Sequence, residues 1–176
     1  MLPEATTRSA EAALTFRPAR PEDGQAMWSL VNVMGGLELN TAYFYILYCI
    51  DYADTCLVAE QDGELAGFVL AHRPPGRQDA VFVWQVGVSP NFRKQGLAGR
   101  MILALLKQQT QPVRWLEATV TPDNTASRRL FSGLARRLDT RCDIAEYLKA
   151  DWFPGEDHAP EDLFRIGPFD IESIKA

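Results

Sequence analysis

Apolar positions along the chain fall into alternating short runs and helical periods, and these predict the elements in order. Thr15–Arg17 reads as a short first strand stopped by Pro18. Pro21-Glu-Asp-Gly24 opens a helix, since proline and acids suit a first turn. Met27, Trp28, Leu30, Val31 and Met34 then repeat at helical spacing, and Gly35-Gly36 ends the run. A loop from Leu37 leads to a second helix, Tyr43 to Ala53, with Asn40 or Thr41 as its candidate N-cap. This helix is aromatic-rich and is expected to be largely buried.

Thr55–Glu60 and Glu64–His72 read as two strands joined at Asp62-Gly63, a hairpin signal. Pro74-Pro75-Gly76 predicts an exposed loop. The run Val81-Phe-Val-Trp-Gln-Val-Gly-Val88 predicts a central strand from Ala80, in which Trp84 and Gln85 alternate. A basic, glycine-containing turn follows, Arg93-Lys-Gln-Gly-Leu-Ala-Gly-Arg100, and then a helix from about Gly96 to Gln109. Val113–Thr121 is another strand. Asp123 or Asn124 caps a helix to about Arg136, with Ala126, Leu130, Phe131 and Leu134 inward. Weaker strands are expected around Arg141–Lys149 and Leu163–Phe169. The order β-α-α-β-β-β-α-β-α-β(-β) makes the fold class α+β, a mixed α/β sandwich. Residues 1–14 and 171–176 read as flexible tails around a single domain over 15–170.

Composition narrows the function. The chain has 176 residues, 47% hydrophobic and 23% charged, which suits one soluble domain. The formal net charge of −5 argues against nucleic acid or an anionic membrane as partner. The polar N-terminus and three scattered cysteines, Cys49, Cys56 and Cys142, fit a cytoplasmic protein. No local metal motif joins His72 and His158, so no metal is expected. Charge segregates: Pro21–His72 holds eight acids and no Lys or Arg, whereas Ala80–Leu116 holds five bases and no acid. Two solvated faces explain this, as do two half-sites, a basic one for an anionic cofactor and an acidic one for a cationic substrate.

The strand-to-helix turn carries the chemistry. A helix start presents unpaired N–H groups, suited to phosphate. Gly96 lets the backbone approach an anion, Ala98 keeps the wall small, and Arg93, Lys94 and Arg100 add charge. Arg93-x-x-Gly96-x-Ala98 resembles the acetyl-coenzyme A pyrophosphate loop of the GNAT acyltransferase superfamily. Phe82–Val88, Glu117–Ser127, Leu37–Tyr43 and Thr55–Glu60 together resemble the L-2,4-diaminobutyrate acetyltransferases of ectoine biosynthesis, over about Phe16 to Arg136. This implies a mostly antiparallel sheet with splayed middle strands and helices on both faces. It also implies acetyl transfer from acetyl-CoA to the γ-amine of L-2,4-diaminobutyrate, by direct attack in a cytoplasmic homodimer. Implied coenzyme contacts are Val86, Val88, Arg93, Lys94, Gln95, Gly96, Leu97, Ala98, Gly99, Arg100, Asn124, Ala126 and Phe131. A tyrosine acid common in the superfamily has no counterpart here, because Phe131 stands at the corresponding position.

Implied substrate residues are Glu38, Asn40, Thr41, Tyr43, Trp84 and Thr121. Each has a plainer role: loop acid for Glu38, cap for Asn40 and Thr41, core for Tyr43 and Trp84, turn for Thr121. Trp84 as an indole wall would attract an alkyl-ammonium by about 0.5–2 kcal/mol. Glu117, in a strand lining the expected gap, is the candidate base, against the alternatives of a solvent-facing carboxylate or a structural partner for Arg114 or another base. Cys142 has no histidine close in sequence and reads as a buried, inert thiol. Another cationic amine (a polyamine or aminoglycoside) and a non-catalytic acyl-CoA sensor are the rival readings.

Overall fold

In a computed structural model, residues 13–155 and 158–173 are described. They form a seven-stranded sheet of order β1-β2-β3-β4-β5-β7-β6. The strands are β1 Thr15–Pro18, β2 Leu57–Gln61, β3 Glu64–His72, β4 Ala80–Val88, β5 Trp115–Val120, β6 Cys142–Leu148 and β7 Glu161–Ile166. The helices are α1 Asp23–Met34, α2 Ala42–Asp51, α3 Leu97–Lys107 and α4 Thr125–Arg137. β4 and β5 pair in parallel and the other neighbours antiparallel.

Two apolar clusters cover the two sheet faces. Met27 and Val31 of α1 and Tyr45, Tyr48 and Cys49 of α2 pack on Val58, Phe68 and Leu70. Met101, Ile102 and Leu105 of α3 and Phe131 and Leu134 of α4 pack on Val69, Val81, Leu116 and Phe164. Gly24 brings α1 close to α2, since a Cβ there would lie 2.8 Å from the Ile46 backbone nitrogen. Arg17 ties β1 to α1 and β2, donating to Asp23 at 2.7 and 2.8 Å and to Glu60 at 2.9 and 3.0 Å.

The expected elements are present, with boundary shifts of a few residues. Asp62 and Gly63 both take positive φ at the β2–β3 turn, as a tight hairpin requires. Thr41 caps α2, its hydroxyl accepting from the Phe44 N–H at 3.3 Å. Asn124 caps α4, its carboxamide oxygen accepting from the Ser127 N–H at 3.0 Å. The helix α2 is less buried than expected: Tyr43, Ile46 and Ile50 are exposed because only its Tyr45–Tyr48–Cys49 stripe meets the sheet. Ala126 is exposed rather than inward, since the apolar face of α4 is set by Phe131, Leu134 and Ala135. Of the expected tails, residues 1–12 and 174–176 lie outside the described residues. Leu14 and Ile171 pack against the core, and 171–173 form a 3-10 turn.

Two irregularities in the middle of the sheet position the site. β4 pairs with β5 only from Ala80 to Phe82, opposite Trp115 to Glu117; from Val83 onward the two strands part. The β3–β4 register also shifts, with Leu70 opposite Gln85 and Ala71 opposite Val83. Trp84 is therefore the extra residue of a β-bulge. Simple alternation through Trp84 and Gln85 does not hold. Val81, Val83, Val86 and Val88 all face the α3 side, while Trp84 and Gln85 both face α2.

Gly87 sits opposite the buried Phe68 ring, and a Cβ on it would lie 2.5 Å from a ring carbon. Gly87→Ala is expected to overpack this seam by about 1–3 kcal/mol, lowering the melting temperature by about 3–10 °C, while exposed Val33→Ala leaves it unchanged. Equal melting temperatures for the two variants would show that the seam has slack.

Candidate active site

Two cavities lie against the part of β4 that β5 leaves unpaired. The first, about 600 Å³, lies between the start of α3 and the outer half of α4. Gly96 takes the left-handed conformation (φ 67°) as N-cap of α3 and carries no side-chain cap bond. The first-turn N–H groups of α3 are thus left for an anion. Lys94 also has positive φ, at 63°. Arg93 and Lys94 line this groove, joined by Arg129, Arg136 and Arg137 from α4. The lining side chains carry five cations and no acid among the described residues. Leu97, Ala98, Gly99 and Val88 supply its apolar wall. The groove therefore fits a polyphosphate with an apolar extension, which is the chemistry of coenzyme A.

The second cavity, about 570 Å³, is the cleft opened by the β4–β5 splay. Val86 lines it, two residues before Val88 of the groove and on the same face of β4. Asn124, the N-cap of α4, and Ser127 and Phe131 within that helix line the cleft. Phe131 is buried and packs on Phe164, 6.2 Å between ring centroids. Glu38 and Asn40 close the cleft from the loop before α2. Gln85 anchors that loop: its Nε2 donates to the Glu38 carbonyl at 2.8 Å, and its Oε1 accepts from the Tyr45 hydroxyl at 3.0 Å. Trp84 forms a wall, 48% exposed and 5.7 Å from the Phe44 ring. The bulge makes this possible, since it puts the indole and its supporting amide on the same face.

Several expected residues lie elsewhere. Arg100 stacks over Phe16 at 5.6 Å instead of lining the groove, and Gln95 and Ala126 are likewise not part of its wall. Thr41 is committed to its cap and Tyr43 projects to solvent from α2. Thr121 hydrogen-bonds Asp123, which holds that carboxyl below its usual range. Glu117 does not line the cleft directly. It is buried beneath it, with Arg77 Nη2 at 2.8 Å from one oxygen and Arg165 Nε at 3.3 Å from the other.

Other residues in the cleft were not singled out from sequence. His72 Nδ1 lies 3.0 Å from the Tyr48 hydroxyl, and burial pushes the imidazole pKa down, so the ring is neutral at pH 7. Arg77, Tyr147 and Glu161 also line the cleft. The hydrogen bond to Glu117, and secondarily Tyr147, hold the Arg77 guanidinium pKa above its ordinary value. Of the eight acids in Pro21–His72, Glu38 alone lines the cleft among the described residues. Asp23 and Glu60 serve Arg17 instead. The acidic half-site expected from charge segregation thus reduces to Glu38, and Glu161 of β7 supplies a second carboxylate.

Residues 25–134 match the Acetyltransferase (GNAT) family. The chain is 44% identical over 165 residues to the L-2,4-diaminobutyric acid acetyltransferase of Halalkalibacterium halodurans, covering 93% of this chain and 87% of that one. It is 45% identical over 164 residues to the protein of that name from Marinococcus halophilus, covering 93% and 95% of the two chains. The structure of diaminobutyrate acetyltransferase EctA from Paenibacillus lautus, in complex with its substrate L-2,4-diaminobutyric acid and coenzyme A, aligns with a TM-score of 0.85. Its sequence identity is 39%, over 90% of this chain and 97% of that one. With a basic groove and an adjoining splayed cleft in place, the chain belongs to the GNAT acetyltransferase family and, within it, to the L-2,4-diaminobutyric acid acetyltransferases.

Proposed function

We propose that this chain transfers the acetyl group of acetyl-CoA to the γ-amine of L-2,4-diaminobutyrate, giving the N-γ-acetyl product that ectoine synthesis consumes. The observation that carries this reading is the placement of the basic groove and the cleft against neighbouring residues of β4, Val88 and Val86, beyond the point where β4 and β5 stop pairing. Arg93, Lys94, Arg129, Arg136 and Arg137 would hold the phosphates, together with the first-turn N–H groups of α3. The pantetheine arm would lie along Val86 and Val88, its amides facing the backbone groups that β5 leaves unpaired. Glu38 and Trp84 would receive an ammonium group, by charge and by the indole face.

The reaction forms a C–N bond as the neutral γ-amine attacks the thioester carbonyl, and breaks the C–S bond to release the coenzyme thiol. The ammonium must first lose a proton. Glu117 is the candidate acceptor through a water chain. A second role is favoured by its double ion pair: anchoring Arg77 at the cleft wall. Direct attack needs no acyl-enzyme. Burial pushes the Cys49 and Cys56 thiols up to about 12, which makes them poor nucleophiles, and the Cys142 thiol is also raised by burial. We read the chain as a homodimer, for which the exposed Tyr43, Ile46 and Ile50 of α2 are the candidate buried surface.

Thiol release from acetyl-CoA with a panel of amines tests the function. Turnover should be fastest with L-2,4-diaminobutyrate. Faster turnover with a polyamine or aminoglycoside would sink the substrate assignment, and coenzyme binding without any turnover would leave a sensor. Replacing Arg136 and Arg137 together by Ala is expected to raise the coenzyme KM by about 5- to 30-fold, more so at low salt, with the acceptor KM unchanged. An unchanged coenzyme KM would remove the α4 arginines from the phosphate site. For Glu117→Gln, a base role predicts a kcat loss of about 100-fold or more and an altered pH profile. An anchoring role predicts a raised acceptor KM with the pH profile retained.

A further inference from the structure

The acceptor proposed above carries two ammonium groups and one carboxylate, and the charged groups lining the cleft have the opposite pattern. Glu38 and Glu161 are its carboxylates, and Arg77 is its one guanidinium among the described residues. We propose that Arg77 is the specificity-determining residue that receives the acceptor's α-carboxylate, and so selects an amino acid over a simple diamine. The inference rests on the diaminobutyrate reading of the site.

Position comes first. Arg77 ends the turn Pro74-Pro75-Gly76-Arg77, closed by the Arg77 N–H donating to the Pro74 carbonyl at 3.0 Å. Gly76 at φ 80° supplies the left-handed third residue that such a turn needs, after a proline that sets the second. Arg77 in turn accepts from the Ala80 N–H at 3.0 Å, so its backbone is fixed at the entry to β4.

Charge balance comes second. Arg77, Glu117 and Arg165 share a single buried carboxylate, which leaves one positive charge in excess. Arg165 is held away from the cleft, with its guanidinium over the Trp115 ring at 4.2 Å and its backbone opposite Glu117 in the β5–β7 ladder. Arg77 lines the cleft, and its side chain remains 41% exposed despite the bond to Glu117. The excess charge therefore presents to the cleft through Arg77. Its Nε is buried and has no hydrogen-bond partner among the described residues, while Glu117 and, more weakly, Tyr147 are its side-chain partners. Its tether to a carboxylate that is only 1% exposed limits its freedom before a ligand arrives. The planar fork of an arginine suits a carboxylate acceptor, and a lysine does not reproduce it.

The test compares wild type, Arg77→Met and Arg77→Lys. L-2,4-Diaminobutyrate is the substrate. 1,3-Diaminopropane, which carries the same two amines without the carboxylate, is the competitor. Arg77→Met should raise the diaminobutyrate KM by about 10- to 100-fold, with kcat and the coenzyme dissociation constant within about threefold of wild type. The inhibition constant of diaminopropane should stay within about twofold. Arg77→Lys should raise the diaminobutyrate KM by an intermediate factor, and it decides the matter if the Met variant fails to bind coenzyme. An unchanged diaminobutyrate KM overturns the proposal, as does equal weakening of both ligands or a loss confined to kcat. Wild-type protein that does not acetylate diaminobutyrate would defeat the functional reading itself. Wild-type activity with no change in ligand preference would defeat the Arg77 assignment alone.

Discussion

Everything in the site depends on two adjacent strands that stop pairing. β4 and β5 are hydrogen-bonded for three residues, from Ala80 to Phe82, and then diverge. A strand buried in mid-sheet with unpaired N–H and C=O groups is costly unless something else satisfies them. An extended amide-bearing ligand can do so, and the groove at the start of α3 gives that ligand a charged anchor. Local chain chemistry reinforces the split. Ser89-Pro90 breaks β4, Gly96 turns the backbone, and α3 begins with its first-turn N–H groups uncapped by a side chain.

The bulge at Trp84 does the equivalent work for the acceptor. Without it, Trp84 and Gln85 would face opposite sides of the sheet. With it, the indole walls the cleft while the Gln85 amide bridges the Tyr45 hydroxyl and the Glu38 carbonyl. The loop that carries Glu38 is thereby coupled to the strand that carries Trp84. Below them the Arg77–Glu117–Arg165 group ties the Pro-Pro-Gly turn, β5 and β7 into one wall. Cleft geometry is thus set by a few buried polar contacts, each of which has little alternative partner in the apolar surroundings.

Much of this was legible in the sequence, and the gaps have physical reasons. The strand, turn and helix from Val81 to Met101 combine three independent signals: an apolar run, a glycine in a basic turn, and a helical period. The fold class followed from element order. The bulge was invisible, because Val81-Phe-Val-Trp-Gln-Val-Gly-Val88 is nearly all apolar and fits either register. Arg136 and Arg137 have a plainer explanation in the helix dipole, which favours bases in a last turn, and Arg129 reads as a solvated surface charge. Their common face, at spacings of seven and eight, was the available signal. Arg77 was hidden in a loop that reads as exposed, and Glu161 lay outside the acidic stretch. Both enter the cleft through tertiary contacts that no local pattern encodes. Charge segregation was only half informative: Arg93 and Lys94 do line the groove, whereas most of the acids between Pro21 and His72 face other partners or solvent.

The central claim is that this cleft presents the γ-amine of a diamino acid to a thioester held along β4. Carbon-13-labelled acetyl-CoA, incubated with the protein and L-2,4-diaminobutyrate and followed by NMR, reads this directly. The account predicts that the labelled acetyl carbonyl correlates, among the carbon-bound protons of the diaminobutyrate chain, with those on C4 alone, marking acetylation of the γ-nitrogen. Label on the α-nitrogen, or a mixture of the two products, would contradict it.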